Sequence, residues 1–244
     1  MKKIMIGLLV AMVAPVLVMA AGNDPSSPAS TAMEKLQKVM SKQSLTAKVV
    51  MTMTGSARSA KAGSMEFQMT LSKGKSRMDM DMGKMAAASG APAGSMPPGL
   101  DKMVMISRPD KKVVYNVMPG LNAYAEIAIP DAKATGAEAP KVDRKVLGTE
   151  KVDKYNCEKV LNTVTAKDGT KTEVTTWEAR ELKGMPVKVV TTTAEGTATM
   201  LFRDISTATP ADSLFEPPAG ATKYGSMQEM MMSGMMKMMP AMGR

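Results

Sequence analysis

Beyond residue 44 the hydrophobic positions of this chain recur at every second residue. Val49, Met51 and Met53 alternate with Val50, Thr52 and Thr54. Met65, Phe67, Met69 and Leu71 alternate with Glu66, Gln68 and Thr70, and Met78, Met80 and Met82 with Asp79 and Asp81. A period of two sends successive side chains to opposite faces of an extended chain, so these segments are expected to be half-buried strands. Further strands are expected at 103–107, 112–117, 123–129, 145–149, 156–165, 171–179, 186–193 and 197–205, separated by turns such as Pro109-Asp110-Lys111 and Lys167-Asp168-Gly169. The fold class that follows is mainly β (α+β), with a large, mostly antiparallel, curved sheet whose apolar face must be covered by something.

Two segments with a helical period are available as covers. Thr31 and Glu34 form a capping box ahead of Met33, Leu36, Val39 and Met40, which fall on one helical face. At the far end Met227, Met230, Met231, Met235, Met238 and Met242 follow a second helical face. The remaining segments read as an export signal and spacers. Lys2 and Lys3, the uncharged stretch 4–18 and Val18-Met19-Ala20 form a secretory signal peptide with its cut after Ala20. Residues 21–30 form a Pro/Ser/Ala-rich spacer, and 86–99 and 131–143 read as low-complexity or polar insertions. The expected organisation is a signal peptide at 1–20, a spacer at 21–30, one domain at 31–224 and a Met-rich tail at 225–244. The expected location is periplasmic and soluble; no Cys stands at the cut to carry a lipid anchor.

Composition sharpens this picture. The chain has 29 Met against 3 Phe, 4 Tyr and 1 Trp, so Met does much of the packing that aromatics usually do. Met is unbranched and polarizable and adapts to irregular apolar partners. The candidate wall of an apolar ligand site is Met51, Met53, Met65, Phe67, Met69, Met78, Met80, Met103 and Met105; the same residues would equally fill a closed core. Thioethers are also soft ligands, so Met227, Met230, Met231, Met235 and Met238 form a candidate Cu(I) or Ag(I) site if spaced on one helix. As a plain packing stripe they would instead lid the sheet, bind a partner or touch a membrane surface. No other cofactor is expected.

Charge and chemistry exclude several classes. Without Lys2 and Lys3 the chain keeps 30 basic against 23 acidic residues, a net charge of +7, with no clustered basic run and few aromatics to stack on bases. Nucleic acid is therefore not an expected partner. The absence of His removes the usual general base, His-dependent nucleophiles and His-ligated zinc. Cys157 is the one cysteine, so no disulfide framework exists, and its neighbour Glu158 is expected to raise the thiol pKa. Asp79 and Asp81 read as a solvated outer face, and Lys73-Gly74-Lys75-Ser76 lacks the spacing of a phosphate loop. The chain is expected not to be an enzyme.

Four segments, in order, carry a family resemblance. They are Arg108-Pro109-Asp110-Lys111-Lys112-Val113-Val114-Tyr115 with the later Tyr124-Ala125-Glu126; the run from Gly148 to Lys159; Thr176-Trp177-Glu178-Ala179 followed by Gly184-Met185-Pro186-Val187-Lys188-Val189; and the run from Asp212 to Gly220. Their order and spacing resemble an exported bacterial family catalogued as a domain of unknown function. Its sheet is similar to the half-barrel of the LolA/LolB lipoprotein carriers and the RseB sensor domain. The resemblance covers residues 31 to 224 and implies an open half-barrel with covering helices around an apolar cavity for acyl chains. It also implies a binding protein for lipid or lipoprotein, or an envelope-sensing module that contacts other proteins. No functional residue of the Lol proteins is matched to a position here and none is carried over, and the LolB anchor cysteine is absent.

Overall fold

The computed structural model describes residues 43–55, 63–88, 90–92, 94–129, 141–165, 171–193 and 196–238. The expected signal peptide, the spacer after it, the helix beginning near Thr31, most of the 131–143 segment, the Lys167-Asp168-Gly169 turn, Met239 and Met242 lie outside these residues.

Among the described residues twelve strands form one open sheet in the order β12-β6-β5-β4-β3-β2-β1-β11-β10-β9-β8-β7. The first meander is β1 (Leu45–Gly55), β2 (Gly63–Ser72), β3 (Lys75–Asp81), β4 (Lys102–Arg108), β5 (Val113–Met118) and β6 (Ala123–Ala128). The second is β7 (Lys141–Val152), β8 (Tyr155–Thr165), β9 (Lys171–Ala179), β10 (Met185–Thr193) and β11 (Gly196–Ser206). Pairing of β1 with β11 joins the two meanders antiparallel, and the three-residue β12 (Thr222–Tyr224) adds parallel to β6. Two helices complete the described part, α1 (Met82–Ala88) and α2 (Met227–Met238). The expected α+β class with a large, curved, mostly antiparallel sheet is what the chain adopts.

Every strand expected from the alternation is present, most with shifted ends. The differences have local causes. The Met/Asp alternation runs through Met82, but the strand stops at Asp81, whose Oδ1 accepts from the Lys84 backbone N–H at 2.9 Å and starts α1. Asp79 and Asp81 share the outer face as expected, and each is paired: Arg77 binds Asp79 and Lys102 binds Asp81. Lys73 and Gly74, both at positive φ, are the two residues of a tight hairpin between β2 and β3, the primed-turn geometry that matches strand twist. β7 begins at Lys141, so the polar segment before it is shorter than its composition implies. Segment 86–99 is not a bare insertion, because it contains the end of α1, and Met96 packs with the buried Leu100 that follows it.

A single register lays one apolar face across the sheet. Leu45, Ala47, Val49 and Met51 of β1 stand beside Leu71, Met69, Phe67 and Met65 of β2. On the other side of β1, Phe202, Met200 and Ala198 of β11 continue the rows opposite Val49, Met51 and Met53. Ala47, Val49 and Met51 are fully buried, so the middle of the sheet is also the middle of the core. A buried side chain of this size is worth about 1.5–3 kcal/mol.

The outer face is not uniformly wet, contrary to the expectation of one-sided strands. On β4 to β6, Val104, Ile106, Tyr115 and Val117 are buried on that side around Phe215, which is itself fully buried. Phe215 ends the 3-10 turn Asp212–Phe215, and this turn is strapped to the sheet by side chains. Lys75 pairs with Asp212 at 2.7 Å, Arg77 Nη1 donates to the Leu214 carbonyl at 3.0 Å, and Arg108 Nη1 donates to the Phe215 carbonyl at 3.2 Å and pairs with Glu216. Arg108 also holds Asp110 through two bonds of 2.9 and 2.8 Å. From this strap the chain turns around the β6 edge as β12 and reaches the inner face as α2.

The two edges differ. β12 is three residues long, whereas β7 runs for twelve and carries a bulge between Val146 and Gly148. Gly148 sits at φ 137°, a backbone region that residues with a Cβ rarely adopt.

Two outcomes follow for the strap. Phe215→Ala is expected to lower stability by about 3–5 kcal/mol in chemical denaturation, the usual cost of deleting a buried aromatic. The Arg108 pair holds the Asp110 carboxyl below its ordinary range, against a smaller opposing effect of burial. A carboxyl with a lower pKa folded than unfolded contributes stability that is complete above the unfolded value, about pH 4, and is lost as pH falls through the folded value. Denaturation midpoints are thus expected to fall below about pH 4, and Arg108→Met is expected to flatten that fall.

Candidate functional site

The nine expected wall residues all lie on the inner face. Five are buried, with Met51 at 0% and Met69 and Met78 at 2% exposure, joined by Phe67 and Met80; Met53, Met65, Met103 and Met105 are partly buried and pack against them. The register explains why they meet. Met65, Met51 and Met200 stand opposite one another on β2, β1 and β11. Met69, Met78 and Met105 form a second row across β2, β3 and β4, and Phe67, Met80 and Met103 a third beside it. Met82 and Met85 of α1 pack onto the same cluster. Period-two spacing on separate strands becomes a contiguous thioether surface only because the hairpins keep equal positions in step.

This surface is uncharged. The inward positions of β1 to β6, β10 and β11 hold Gly, Ala, Val, Leu, Ile, Met, Phe, Ser, Thr and Asn, with no acid or base among these described strands. Charge appears at the other end of the sheet, where Arg144 bonds Glu158 at 2.8 Å and Glu178 at 3.0 Å.

Sequence reasoning missed one residue of this surface. The expected strand over 112–117 carried no assignment of its faces, and β5 offers two stripes, Val113, Tyr115 and Val117 on one side and Val114, Asn116 and Met118 on the other. The first three face the outer cluster under Phe215, while Asn116 stands inward between Met105 of β4 and Ala125 of β6. Asn116 is 7% exposed, and its Oδ1 has no hydrogen-bond partner among the described residues. A polar residue flanked on both sides by apolar ones, Tyr115 and Val117, was the available signal.

The Met-rich helix lies against the inner face. Met230 is fully buried with Ala123 and Ala125 of β6, Met118 and Leu100, and Met227 and Met231 pack at its sides. Tyr224 Oη and Ser233 Oγ lie 2.8 Å apart, in hydrogen-bond contact. The helix comes so close to the turn after β5 that a Cβ on Gly234 would stand 2.6 Å from Leu121 Cδ1. Of the five residues read as thioether metal ligands, Met227, Met230 and Met231 are therefore engaged in apolar packing, and Met235 and Met238 lie within the same helix. Met232 and Met236 are 57% and 73% exposed and, with Glu229 and Ser233, line an open depression of about 450 Å³.

Other candidate chemistry resolves into structure. Burial is the main cause that pushes the Cys157 thiol up, with Glu181 and Glu150 adding to it; Glu158, expected to do so, points to the opposite face and bonds Arg144. Among the described residues no group of three or more His, Cys, Asp and Glu side chains is placed to hold a metal ion. No helix among them is long and apolar enough to cross a membrane.

Solved structures resemble this chain at low sequence identity. Mycobacterium tuberculosis lipoprotein LppX is 12% identical with a TM-score of 0.42, over 76% of this chain and 100% of that one. A LolA superfamily protein from Nitrosomonas europaea is 11% identical with a TM-score of 0.34, over 75% of this chain and 96% of that one. MucB is 14% identical with a TM-score of 0.41, over 80% of this chain and 64% of that one, and has also been crystallised in complex with MucA. No curated protein matches the sequence. A family model, described as a domain of unknown function, matches residues 48–182, which run from the central strand β1 through the first meander and into the second as far as the turn after β9. That match takes in most of the Met-lined face, and the chain belongs to this family, DUF4412.

Proposed function

We propose that this protein is an exported, non-enzymatic carrier that binds an apolar chain, of a lipid or lipoprotein, against the methionine face of its sheet, with α2 as the lid. The observation that carries this reading is the continuity of that face: nine residues chosen from sequence periodicity fall on one surface with no charge among them. Dispersion against adaptable thioethers favours acyl chains of varied shape over one rigid ligand. The lid reading rests on Met230, which closes over Ala123 and Ala125 while the opposite side of the helix stays exposed. Exposed Met232 and Met236 would give the lid a surface for a membrane or an envelope protein. Export rests on the N-terminal signal pattern and places the carrier in the periplasm. Thioether binding of Cu(I) stands as the alternative for the tail; the packing of Met230 favours the lid.

Protein purified from cell envelopes and extracted into organic solvent is expected to release acyl lipid in mass spectrometry. A lipid-free extract, together with no response to a neutral fluorescent acyl probe, would sink the carrier reading. Met230→Lys places a charge in an apolar contact and is expected to free α2. Amide exchange should speed up across 227–238 and probe association should quicken, while the strands keep their protection.

A further inference from the structure

A buried side-chain carbonyl without a donor destabilises the fold, so its presence in a largely apolar face calls for a partner. Asn116 is that group. It lies inward on β5, level with Met105 and Ala125, and its strand neighbours on the same face are Val114 and Met118. It is 93% removed from solvent by its 7% exposure, and its Oδ1 has no bond among the described residues. One residue diagonally away, Ser107 stands opposite Val114 and beside Ser76, both serines buried on the same face. These three residues make a polar corner at one end of the methionine rows. No charged side chain shares the inward positions of these strands, so the corner offers hydrogen bonds but no countercharge.

We propose that Asn116 is the anchor for a neutral hydrogen-bond donor carried on the apolar ligand, a hydroxyl or amide N–H group at or near the head of an acyl chain. The inference rests on the carrier reading above and adds the ligand's chemical class. A hydroxyl or amide N–H donates to Oδ1 and completes its bonding. An ester of the same length presents only acceptors and leaves Oδ1 unpaired. An ionised carboxylate brings a charge into a face that has nothing to neutralise it. The site therefore selects hydroxylated or amide-linked chains over esters and free fatty acids.

The test is displacement of a neutral fluorescent acyl probe from the full mature chain at pH 8 by four ligands of equal chain length: oleyl alcohol, oleamide, methyl oleate and oleate. In the wild-type protein the alcohol and amide are expected to displace the probe about tenfold more effectively than methyl oleate, the discrimination one buried hydrogen bond supplies. Oleate should compete worst or equal the ester. In Asn116→Leu the advantage of alcohol and amide over ester should shrink to within about twofold, each measured against the variant's own probe affinity. The unliganded variant should melt at or above the wild type, because an unpaired buried carbonyl has been removed. Asn116→Ala gives the same comparison with a smaller side chain if the leucine does not fit.

Equal competition by alcohol and ester in the wild type overturns the anchor while leaving the carrier intact. So does an undiminished alcohol advantage in both variants. A lower melting temperature in both unliganded variants would assign Asn116 a structural partner and overturn it too. Failure of the probe and all four ligands to bind would instead bring down the carrier reading itself.

Discussion

The structure depends on one constraint: an apolar, uncharged face spanning many strands cannot be left in water. Period-two placement of methionine creates that face, and antiparallel register multiplies it from single stripes into rows. Ala47, Val49 and Met51 on β1 are at its centre, with β2 on one side and β11 on the other. Everything attached to the sheet can be understood by the side it covers. α1 packs Met82 and Met85 onto the rows, and α2 closes the β6 end with Met230. The strap around Phe215 covers an outer region where β4 to β6 are apolar on both sides.

The strap and α2 are parts of one continuous run. The run that buries Phe215 outside continues around the β6 edge as β12 before α2 begins at Met227. Arg108 is central to this arrangement. Its guanidinium reaches Asp110, Glu216 and the Phe215 carbonyl, so it fixes where the chain leaves the outer surface. The placement of the methionine helix is thus set partly by charge pairs on the far side of the sheet, through β12, rather than by its own contacts alone.

Much of this was legible from sequence because alternation is a local signal. The Met/polar runs between Val49 and Met80 located the central strands and their inward faces directly. The signal weakened where both faces are buried. In β5, Val113, Tyr115 and Val117 form the more hydrophobic stripe, yet they belong to the outer cluster and Asn116 to the inner one. Which stripe faces in is decided by pairing with β4, a nonlocal fact that no window of five residues contains. β12 escaped notice for another reason: three residues with an exposed lysine have no periodicity to read. Cys157 and Glu158 show the same limit at one step, since chain neighbours in a strand point to opposite sides.

Among the described residues no strand pairs with the outer edge of the twelve-residue β7, and such an edge is the usual template on which identical chains polymerise. Here the template is spoiled. Gly148 and the bulge break its repeat in the middle, and Asp143, Arg144, Lys145, Glu150 and Lys151 set mixed charges on both sides of the break. A neighbouring copy would have to match that break and those charges at once before the first few ladder bonds could form. A long described border thus carries its own obstacle to edge-to-edge growth, built into the backbone at Gly148 rather than added by a covering element.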